Sequence, residues 1–306
     1  MNFDQAESKA NSVIISANPK SGSGDRSDLV RQLAQTLESD GFAVHLLNDI
    51  DEVCQMASQQ LQEGVLRTVV SAGGDGTASL LVNRLPAEVP ITILPLGTAN
   101  LMANYLQIRR DVDQVAGIIR GGKSVVLDAG LANGSLFLVV ASCGFDAAVV
   151  ERLHKHRTGH ISKWSYSIPI LKSIWKYKFP ALRITADGKS IPPSRWAFVL
   201  NVPRYAMDLN FIDDADTTDG LLDMCTFEKG GLFSGLYYLF SVVFGRHRKI
   251  KSSNFVRFKC VTIEADESVP YEIDGDPGGK LPLTIEAVPG RMRMCVPDEW
   301  LESVDV

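Results

Sequence analysis

The sequence predicts an α/β domain followed by a mainly antiparallel β domain. Over the first 100 residues, short β-branched runs alternate with helical patterns in βαβαβ order, which is typical of a parallel sheet with helices on both faces. Beyond about residue 124, short apolar runs separated by turn signals such as Asn133-Gly134 replace that alternation, as in antiparallel sheets. A chain of 306 residues fits two domains, and we predict them at 1–123 and 124–290.

Composition narrows the function classes. Apolar residues make up 45% of the chain and charged residues 22%, as in ordered globular proteins. The net charge of −5 argues against a general nucleic-acid binder, whose affinity depends on many Lys and Arg contacts to phosphates. The first twelve residues, MNFDQAESKANS, lack the basic and then apolar pattern of a secretion signal, so we expect a cytoplasmic protein.

The N-terminal domain is predicted from strands and helices that alternate along the chain. Strands are predicted at Ser12–Ala17, Phe42–Leu47, Leu66–Ala72 and Ile91–Leu94, and helices at Leu29–Leu37, Ile50–Glu63 and Thr77–Leu85. Because the carboxyl ends of parallel strands meet at one edge of a sheet, we expect the loops that follow these strands to lie together and to bind the ligand.

A glycine-rich turn, Gly73-Gly74-Asp75-Gly76-Thr77, follows the third of these strands. Three glycines leave backbone amides bare and the helix start adds partial positive charge, so the turn predicts a phosphate-binding site rather than a plain strand-to-helix connection. Two further loops, Asn18–Gly24 and Pro95–Asn100, carry Gly with Ser, Thr or Asn in the same position after a strand. Their spacing does not match the GxxxxGK[ST] of a P-loop.

The C-terminal domain is predicted from strands that are interrupted by helical segments. The strands are predicted at Ser124–Leu131, Leu136–Cys143, Ala181–Ala186, Trp196–Val202, Leu222–Phe227, Asn254–Glu264, Leu283–Val288 and Met292–Val296. Helices are predicted within residues 145–180 and at Gly230–Phe244. The second of these helices is apolar with a basic end and too short to span a bilayer. We favour a position in the core for it over docking on anionic lipid.

Two acidic loops are candidate sites. Asp213–Gly220 concentrates four carboxylates in seven residues, which is costly unless solvent or a hard cation relieves the repulsion, so the loop is a metal candidate. Asp274-Gly275-Asp276 places two acids on either side of a glycine in a tight turn, which can offer a general base. For either loop taken alone, a solvated surface turn is the simpler interpretation.

The chain resembles the diacylglycerol kinase catalytic-domain family, which includes sphingosine and ceramide kinases and soluble bacterial members. The resemblance rests on the following motifs in this order: Asn18-Pro19-Lys20-Ser21-Gly22-Ser23-Gly24, Gly73-Gly74-Asp75-Gly76-Thr77, Pro95-Leu96-Gly97-Thr98-Ala99-Asn100, Asp219-Gly220 and Asp274-Gly275-Asp276. It implies a phosphofructokinase/NAD kinase-like N-terminal α/β domain and a C-terminal β-sandwich. It also implies that a segment of about 290–306 returns to the first domain.

The resemblance further implies an ATP- and Mg²⁺-dependent lipid kinase that transfers the γ-phosphate to a hydroxyl of a membrane-derived lipid such as diacylglycerol. The implied nucleotide-binding residues are Asn18, Ser21, Asn48, Gly73, Gly74, Asp75, Gly76, Thr77 and Thr98. The implied metal ligands are Asp75 and Asp128 for a catalytic Mg²⁺, and the Asp219 side chain with the Asp216 and Leu221 carbonyls for a structural Mg²⁺. Asp274 or Asp276 would act as the base.

The implied partner is a lipid at the membrane surface, contacted peripherally and transiently, and a homodimer is compatible with the sequence.

Two positions depart from the family pattern: Leu101 stands where an Asp is usual, and Asp276 stands where a Glu is usual. Two alternatives therefore stay open. One is an NAD kinase, which shares GGDGT but uses an Asn-Glu pair that we do not find downstream; the other is a catalytically weak nucleotide- or lipid-binding regulator, suggested by Leu101.

Overall fold

The structure is a computed structural model that describes residues 3–5, 10–17, 25–155, 177–205 and 209–304. The described chain divides into two compact units. The first unit contains the residues up to Asp128 together with those from Pro289 onward, and the second unit is Ala129–Val288.

The first unit is built on a parallel sheet. The strands of this sheet are β2 (Ser12–Ala17), β3 (Ala43–Leu47), β4 (Leu66–Gly73) and β5 (Pro90–Pro95). Outside it, β1 (Phe3–Gln5) pairs antiparallel with β6 (Lys123–Ala132), which continues into the second unit. Strands β3, β2, β4 and β5 pair in parallel in that spatial order. On the far side of β5, Arg293 and Met294 add one more parallel pairing from a late strand of the chain.

Helices flank this sheet in sequence order. They are α1 (Asp25–Ser39), α2 (Ile50–Gln62), α3 (Asp75–Arg84), α4 (Leu101–Tyr105) and α5 (Val112–Gly121). Strand β2 is buried almost along its whole length, with Val13, Ile14 and Ile15 fully inaccessible, as expected of a parallel strand covered on both faces. Helix α2 begins where the Asp49 carboxylate accepts hydrogen bonds from the amides of Asp51 and Glu52, a cap that contributes about 1 kcal/mol.

The second unit is a sandwich of two antiparallel sheets, which confirms the predicted fold class. Its further strands are β7 (Ser135–Phe137), β8 (Val140–Cys143), β9 (Leu182–Ala186), β10 (Lys189–Ser194), β11 (Trp196–Leu200), β12 (Arg204–Tyr205), β13 (Leu209–Asn210), β14 (Leu222–Phe227), β15 (Ser253–Phe258), β16 (Cys260–Glu264), β17 (Pro270–Ile273), β18 (Asp276–Lys280) and β19 (Leu283–Cys295). Strands β10-β9-β16-β19 form one sheet, and β15-β14-β11-β8-β17-β18 form the other. Apolar side chains from both sheets make up the core between them.

Three further helices complete the described chain. They are α6 (Phe145–Lys155), α7 (Leu232–Val243) and α8 (Asp298–Val304), with one 3₁₀ turn at His247–Lys249. Helix α7 packs on the outer face of the second sheet, where Tyr238 stacks on Phe227 with ring centroids 4.3 Å apart. Strand β14 is therefore buried on both faces. None of the described helices combines the length and the apolar content needed to cross a bilayer.

Several strand predictions were wrong in their bounds. The predicted strand Asn254–Glu264 is two strands in different sheets, separated at Lys259, because the Asp187 carboxylate accepts hydrogen bonds from the amides of Lys259 and Cys260 at the corner. The two predicted strands Leu283–Val288 and Met292–Val296 are instead one continuous strand, β19, which bends at Gly290. Strand β10 was missed because its sequence, KSIPPS, carries two prolines, which sheets tolerate mainly at edges.

Candidate functional site

The predicted phosphate-binding loops leave the same edge of the parallel sheet. Ala17 pairs with Ala72 and Gly73 with Pro95, so β2, β4 and β5 end level with one another. Strand β3 ends beside them and is followed by the exposed Asn48. The predicted residues Asn18 and Ser21 lie outside the described residues.

The glycine-rich turn is shaped by close backbone contact between two loops. Gly74 precedes helix α3 with no side-chain cap, so the first amides of the helix remain available to an anion. A Cβ atom on Gly97 would lie 2.5 Å from the Gly74 Cα, and the Thr77 side chain occupies the space that a Cβ on Gly73 would need. Glycine is therefore required at these positions, because only hydrogen fits between the loops.

The loop after β5 is held by side chains as well as by its glycine. Asn100 has a left-handed conformation with φ 51°, accepts a hydrogen bond from the Gly97 amide at 2.9 Å and donates to the Gly97 carbonyl at 3.0 Å. Arg110 donates to the carbonyls of Pro95 and Gly97 at 2.8 and 2.7 Å. Thr98 is left exposed at the tip of the loop, where its hydroxyl is accessible to a ligand.

Asp75 is the first residue of helix α3 and is half-buried. Its Oδ1 accepts a hydrogen bond from the Met102 amide at 3.1 Å, whereas its Oδ2 has no hydrogen-bond partner among the described residues. The second carboxylate oxygen can ligate a hard cation. Leu101 lies directly before the amide that Asp75 binds, so the acid that the family usually carries there is absent from the vicinity of Asp75.

Asp128 has a structural contact in the first unit. Its side chain is buried on β6, and its Oδ1 accepts a hydrogen bond from the Gly290 amide at 2.8 Å. Gly290 has a positive φ of 64°, so Asp128 holds the bend in β19. Its contribution to a catalytic Mg²⁺ stays a prediction.

Two arginine side chains offset part of the negative charge of the loop Asp213–Gly220. Arg257 lies within 4 Å of the carboxylates of Asp214, Asp219 and Asp223, at 3.5, 3.9 and 3.1 Å, and Arg248 pairs with Asp214 at 2.5 Å. Asp219 also accepts a hydrogen bond from the Leu221 amide at 2.9 Å. A cation bound here would face the Arg257 guanidinium, so these donors fit Mg²⁺ less well than Asp75 does.

The Asp216 carboxylate in the same loop is occupied locally. It accepts hydrogen bonds from the amide and the hydroxyl of Thr218 at 2.9 and 2.7 Å. Within the part of the chain that the structure describes, no three or more His, Cys, Asp or Glu side chains cluster as a metal site would require. The predicted structural Mg²⁺ at Asp216, Asp219 and Leu221 stays a prediction.

The Asp274-Gly275-Asp276 turn connects β17 and β18, and its two acids differ sharply. The Asp274 carboxylate accepts hydrogen bonds from three consecutive backbone amides, those of Leu138, Val139 and Val140, at 2.9, 2.9 and 3.1 Å. These bonds interrupt the predicted strand Leu136–Cys143, which is observed as the two strands β7 and β8. Asp274 therefore holds the turn against β8.

Asp276 is the accessible acid of the turn. Its side chain is 63% exposed, and its Oδ1 lies 2.8 Å from the Nε2 of His154 on helix α6. No backbone amide of a described residue binds its carboxylate. The sequence proposes two acids as the base. Of these, Asp276 is the one whose carboxylate is exposed to solvent and contacts a histidine ring nitrogen.

The buried acid Glu272 supports the turn, and the half-buried Asp146 lies near it. Glu272 is fully buried, and its Oε2 accepts a hydrogen bond from the Gly275 amide at 2.7 Å, while Oε1 has no partner among the described residues. Burial, and then the charge on Asp146, raise the pKa of Glu272 well above its ordinary value of 4.5. Burial also raises the pKa of Asp146, against the opposing hydrogen bonds from Ser142 and Tyr205 at 2.8 and 3.0 Å.

Glu272→Gln is expected to make the free energy of unfolding less sensitive to rising pH. The folded-state pKa of Glu272 is raised, so the stability that its protonated form contributes is complete below pH 4.5 and is lost as pH rises toward the folded-state value. Relative to the variant, the wild-type protein should lose up to about 1.4 kcal/mol of unfolding free energy per pH unit in that window. Urea unfolding from about pH 5 to about pH 9 measures this, and a constant difference across that range contradicts it.

An apolar cavity of about 150 Å³ lies on the outer face of the second sheet. Aromatic side chains dominate its wall, and Asp146 is the one acidic residue among the lining residues. The lining residues are Phe145, Asp146, Phe179, Trp196, Phe198, Tyr205, Leu209, Phe211, Phe227, Gly235, Leu236, Tyr238 and Val242. An apolar cavity of this size can accommodate part of a hydrocarbon chain.

Sequence reasoning missed several residues of the site. His154 lies 122 positions before Asp276, and Arg110 lies outside every motif, so no spacing signalled either residue. Glu272 carried a usable signal, because it is an acid within the apolar strand Pro270–Ile273 and two residues before the acidic turn. The aromatic cavity had none, because its lining residues come from seven separate stretches of the chain.

Comparisons with known proteins agree with the resemblance. Residues 12–132 match the diacylglycerol kinase catalytic domain family, and residues 139–296 match the YegS C-terminal NAD kinase beta sandwich-like domain family. A diacylglycerol kinase of Staphylococcus carnosus is 24% identical over 271 residues, which cover 87% of this chain and 88% of the relative. One of Staphylococcus aureus is 24% identical over 249 residues, covering 80% and 78%.

A solved structure shares the fold. The crystal structure of a diacylglycerol kinase from Bacillus anthracis superposes with a TM-score of 0.68 at 20% identity, covering 96% of this chain and 99% of that one. With the order of the motifs and the two sandwich sheets on the same chain, these matches assign the protein to a family of kinases. The chain belongs to the diacylglycerol kinase catalytic-domain family, in the form that carries a YegS-type C-terminal β-sandwich.

Proposed function

We propose that the protein is an ATP-dependent lipid kinase that transfers the γ-phosphate of ATP to a hydroxyl of a membrane-derived lipid such as diacylglycerol. The observation that carries the acceptor class is the apolar cavity of about 150 Å³ in the second unit. Its wall of aromatic and aliphatic side chains suits a hydrocarbon chain and offers little to the polar NAD molecule. The cavity therefore favours a lipid kinase over an NAD kinase.

The first unit supplies groups suited to the nucleotide. The bare amides at the start of α3 and the close contact of Gly74 with Gly97 suit the oxygens of a polyphosphate. Asp75 keeps one carboxylate oxygen for a Mg²⁺ ion, which, when bound, neutralises charge on the transferring phosphoryl group. We assign no step to a second metal at the Asp213–Gly220 loop, because Arg257 already supplies the positive charge there.

In the second unit, Asp276 is proposed to accept the proton of the lipid hydroxyl. The carboxylate is exposed and one of its oxygens contacts His154, which orients it and leaves the other oxygen for the hydroxyl. Asp274 positions the turn through its three amide contacts. Positioning of the reactants and neutralisation of charge are the main demands of phosphoryl transfer, so this set of groups is sufficient.

The test is a screen of acceptors with purified full-length protein, γ-labelled ATP and Mg²⁺. The panel contains diacylglycerol, monoacylglycerol, ceramide and a sphingoid base in mixed micelles, and NAD in buffer. Label that partitions into the organic phase with one of the lipids supports the proposal. Label on NAD overturns it in favour of an NAD kinase, and ATP binding without transfer to any acceptor overturns it in favour of a nucleotide-binding regulator.

A further inference from the structure

Helix α7 presents a stripe of large apolar side chains to solvent. Phe233 is 85% exposed, Phe244 is 69% exposed, and Tyr237, Phe240 and Val243 are each about half exposed or more. The stripe recurs every three to four residues, so it forms one continuous face of the helix. Soluble surfaces rarely expose so many large apolar side chains together, and such patches mark interaction sites.

The opposite face of the same helix closes the aromatic cavity. Gly235, Tyr238 and Val242 line the cavity, and Tyr238 is anchored by hydrogen bonds of its hydroxyl with Ser252 and the Lys229 amide at 2.9 and 3.2 Å. Leu236 belongs to both sides, since it lines the cavity and is 38% exposed. A single helix therefore separates the cavity from the exposed apolar stripe.

The chain segment that contains this helix carries charged side chains of one sign only. Residues 229–251 contain five Lys and Arg residues and no Asp or Glu, in a chain of net charge −5. Arg246, Lys249 and Lys251 follow the helix, are exposed, and form no ion pair with another described residue. Arg248 between them is paired with Asp214. The apolar stripe thus ends in a positively charged segment that complements an anionic surface.

We propose that the outer face of α7, together with Arg246, Lys249 and Lys251, docks the protein on the surface of bilayers that contain anionic lipid. A helix of 12 residues is about 18 Å long and cannot cross a hydrocarbon core of about 30 Å. It can lie in the interface with Phe233, Phe240 and Phe244 inserted and the basic residues at the headgroups. The initial preference for a core position of this segment is correct for its inner face alone.

This inference deepens the proposed function and rests on it for its purpose, because docking through α7 would bring the wall of the cavity to the bilayer that holds the acceptor. Its physical content is independent of catalysis. Binding to vesicles is measured without ATP or any acceptor, so a failure of docking and a failure of lipid phosphorylation are separate results.

The experiment is co-sedimentation of the full-length protein with vesicles of phosphatidylcholine alone and of phosphatidylcholine with about 30% phosphatidylglycerol. The wild-type protein should bind the anionic vesicles and bind the neutral ones more weakly. Phe233→Ser with Phe244→Ser should lower the partition coefficient at least about tenfold. Lys249→Gln and Lys251→Gln should each lower it up to about fivefold at low salt, and by less at high salt.

Leu46→Ser is the matched control, because Leu46 is 48% exposed on β3 and lies in the first unit. It should bind anionic vesicles like the wild-type protein, and thermal unfolding of each variant checks that it is folded. The proposal is overturned if the wild-type protein does not bind anionic vesicles, or if the double Phe variant binds as well as the control. It is also overturned if light scattering shows that the Phe residues hold a dimer together and vesicle binding is unchanged.

Discussion

Replacing Asp75 by asparagine is expected to lower kcat/KM for transfer from ATP by about 10³-fold or more. The variant keeps an oxygen for the Met102 amide, which Asp75 contacts at 3.1 Å, but loses the negative charge with which a carboxylate strengthens Mg²⁺ binding. A bound metal contributes several kcal/mol of charge neutralisation to phosphoryl transfer, and a loss of about 4 kcal/mol corresponds to 10³-fold. Leu101 supplies no neighbouring acid to compensate.

Asp75→Ala separates the two roles of this carboxylate. It should be as inactive as the Asn variant, and it should also lose about 1–3 kcal/mol of stability because the Met102 amide loses its partner. Transfer of label and urea unfolding measure the two effects, and calorimetry with ATP should show Mg²⁺-dependent affinity in the wild-type protein alone. Activity of the Asn variant near the wild-type level would remove Asp75 from the metal site.

Asp276→Asn is expected to lower kcat by about 10²- to 10⁴-fold, the usual contribution of a general base. The side chain is exposed and makes one hydrogen bond, to His154, so the unfolding free energy should change little. KM for the lipid should also change little, because the cavity that we propose for the hydrocarbon is lined by other residues. Steady-state kinetics with the acceptor found in the lipid screen gives both constants.

Asp274→Asn is the matched comparison, because it makes the same chemical change two residues away. In this variant the side-chain NH₂ group would face one of the backbone N–H groups from which the Asp274 carboxylate accepts a hydrogen bond. Because two donors would then oppose each other, we expect the free energy of unfolding to fall by about 1–3 kcal/mol. If Asp274→Asn proves stable and inactive while Asp276→Asn stays active, the assignment of the base is reversed. The contrast between stability and kcat thus decides which acid takes the proton.

Uninterrupted apolar runs allowed parts of the fold to be predicted from the sequence. Strands Ser12–Ala17 and Leu222–Phe227 have the predicted bounds, because each is buried along its length and no side chain from elsewhere breaks its ladder. The three closely spaced glycines likewise allowed the turn after β4 to be predicted. The need for Gly at 73 and 74 arises from Thr77 and from Gly97, both of which lie in loops that the sequence had already singled out.

The breaks in strands could not be predicted, because they depend on partners far along the chain. The amides of Leu138 and Val139 look like strand amides in sequence, and only Asp274, more than 130 residues later, takes them out of the ladder. The same holds for Lys259, whose amide turns to Asp187. The residues within a short window of the sequence give no indication of contacts with residues so far along the chain.

The charge balance of the acidic loop was hidden for a similar reason. Four carboxylates in seven residues suggested a cation, which stays a prediction. The positive charge beside Asp214 and Asp219 comes from Arg248 and Arg257, which lie on later elements. The sequence of helix α7 left a different question open, namely which of its faces is buried. Its apolar sequence could not indicate which face is covered, because Phe233 and Tyr238 are equally suited to a core and differ only in what packs against them.

The contact between Gly74 and Gly97 also constrains how this protein can diverge. A methyl group at position 97 would collide with the Gly74 Cα and with Asn100 Oδ1, so no single substitution there is tolerated unless the neighbouring loop first moves. That loop carries Asp75, and its displacement would break the Met102 contact. Substitution of either glycine therefore requires linked changes in two loops. We expect homologues that keep the activity to retain both glycines or to change them together.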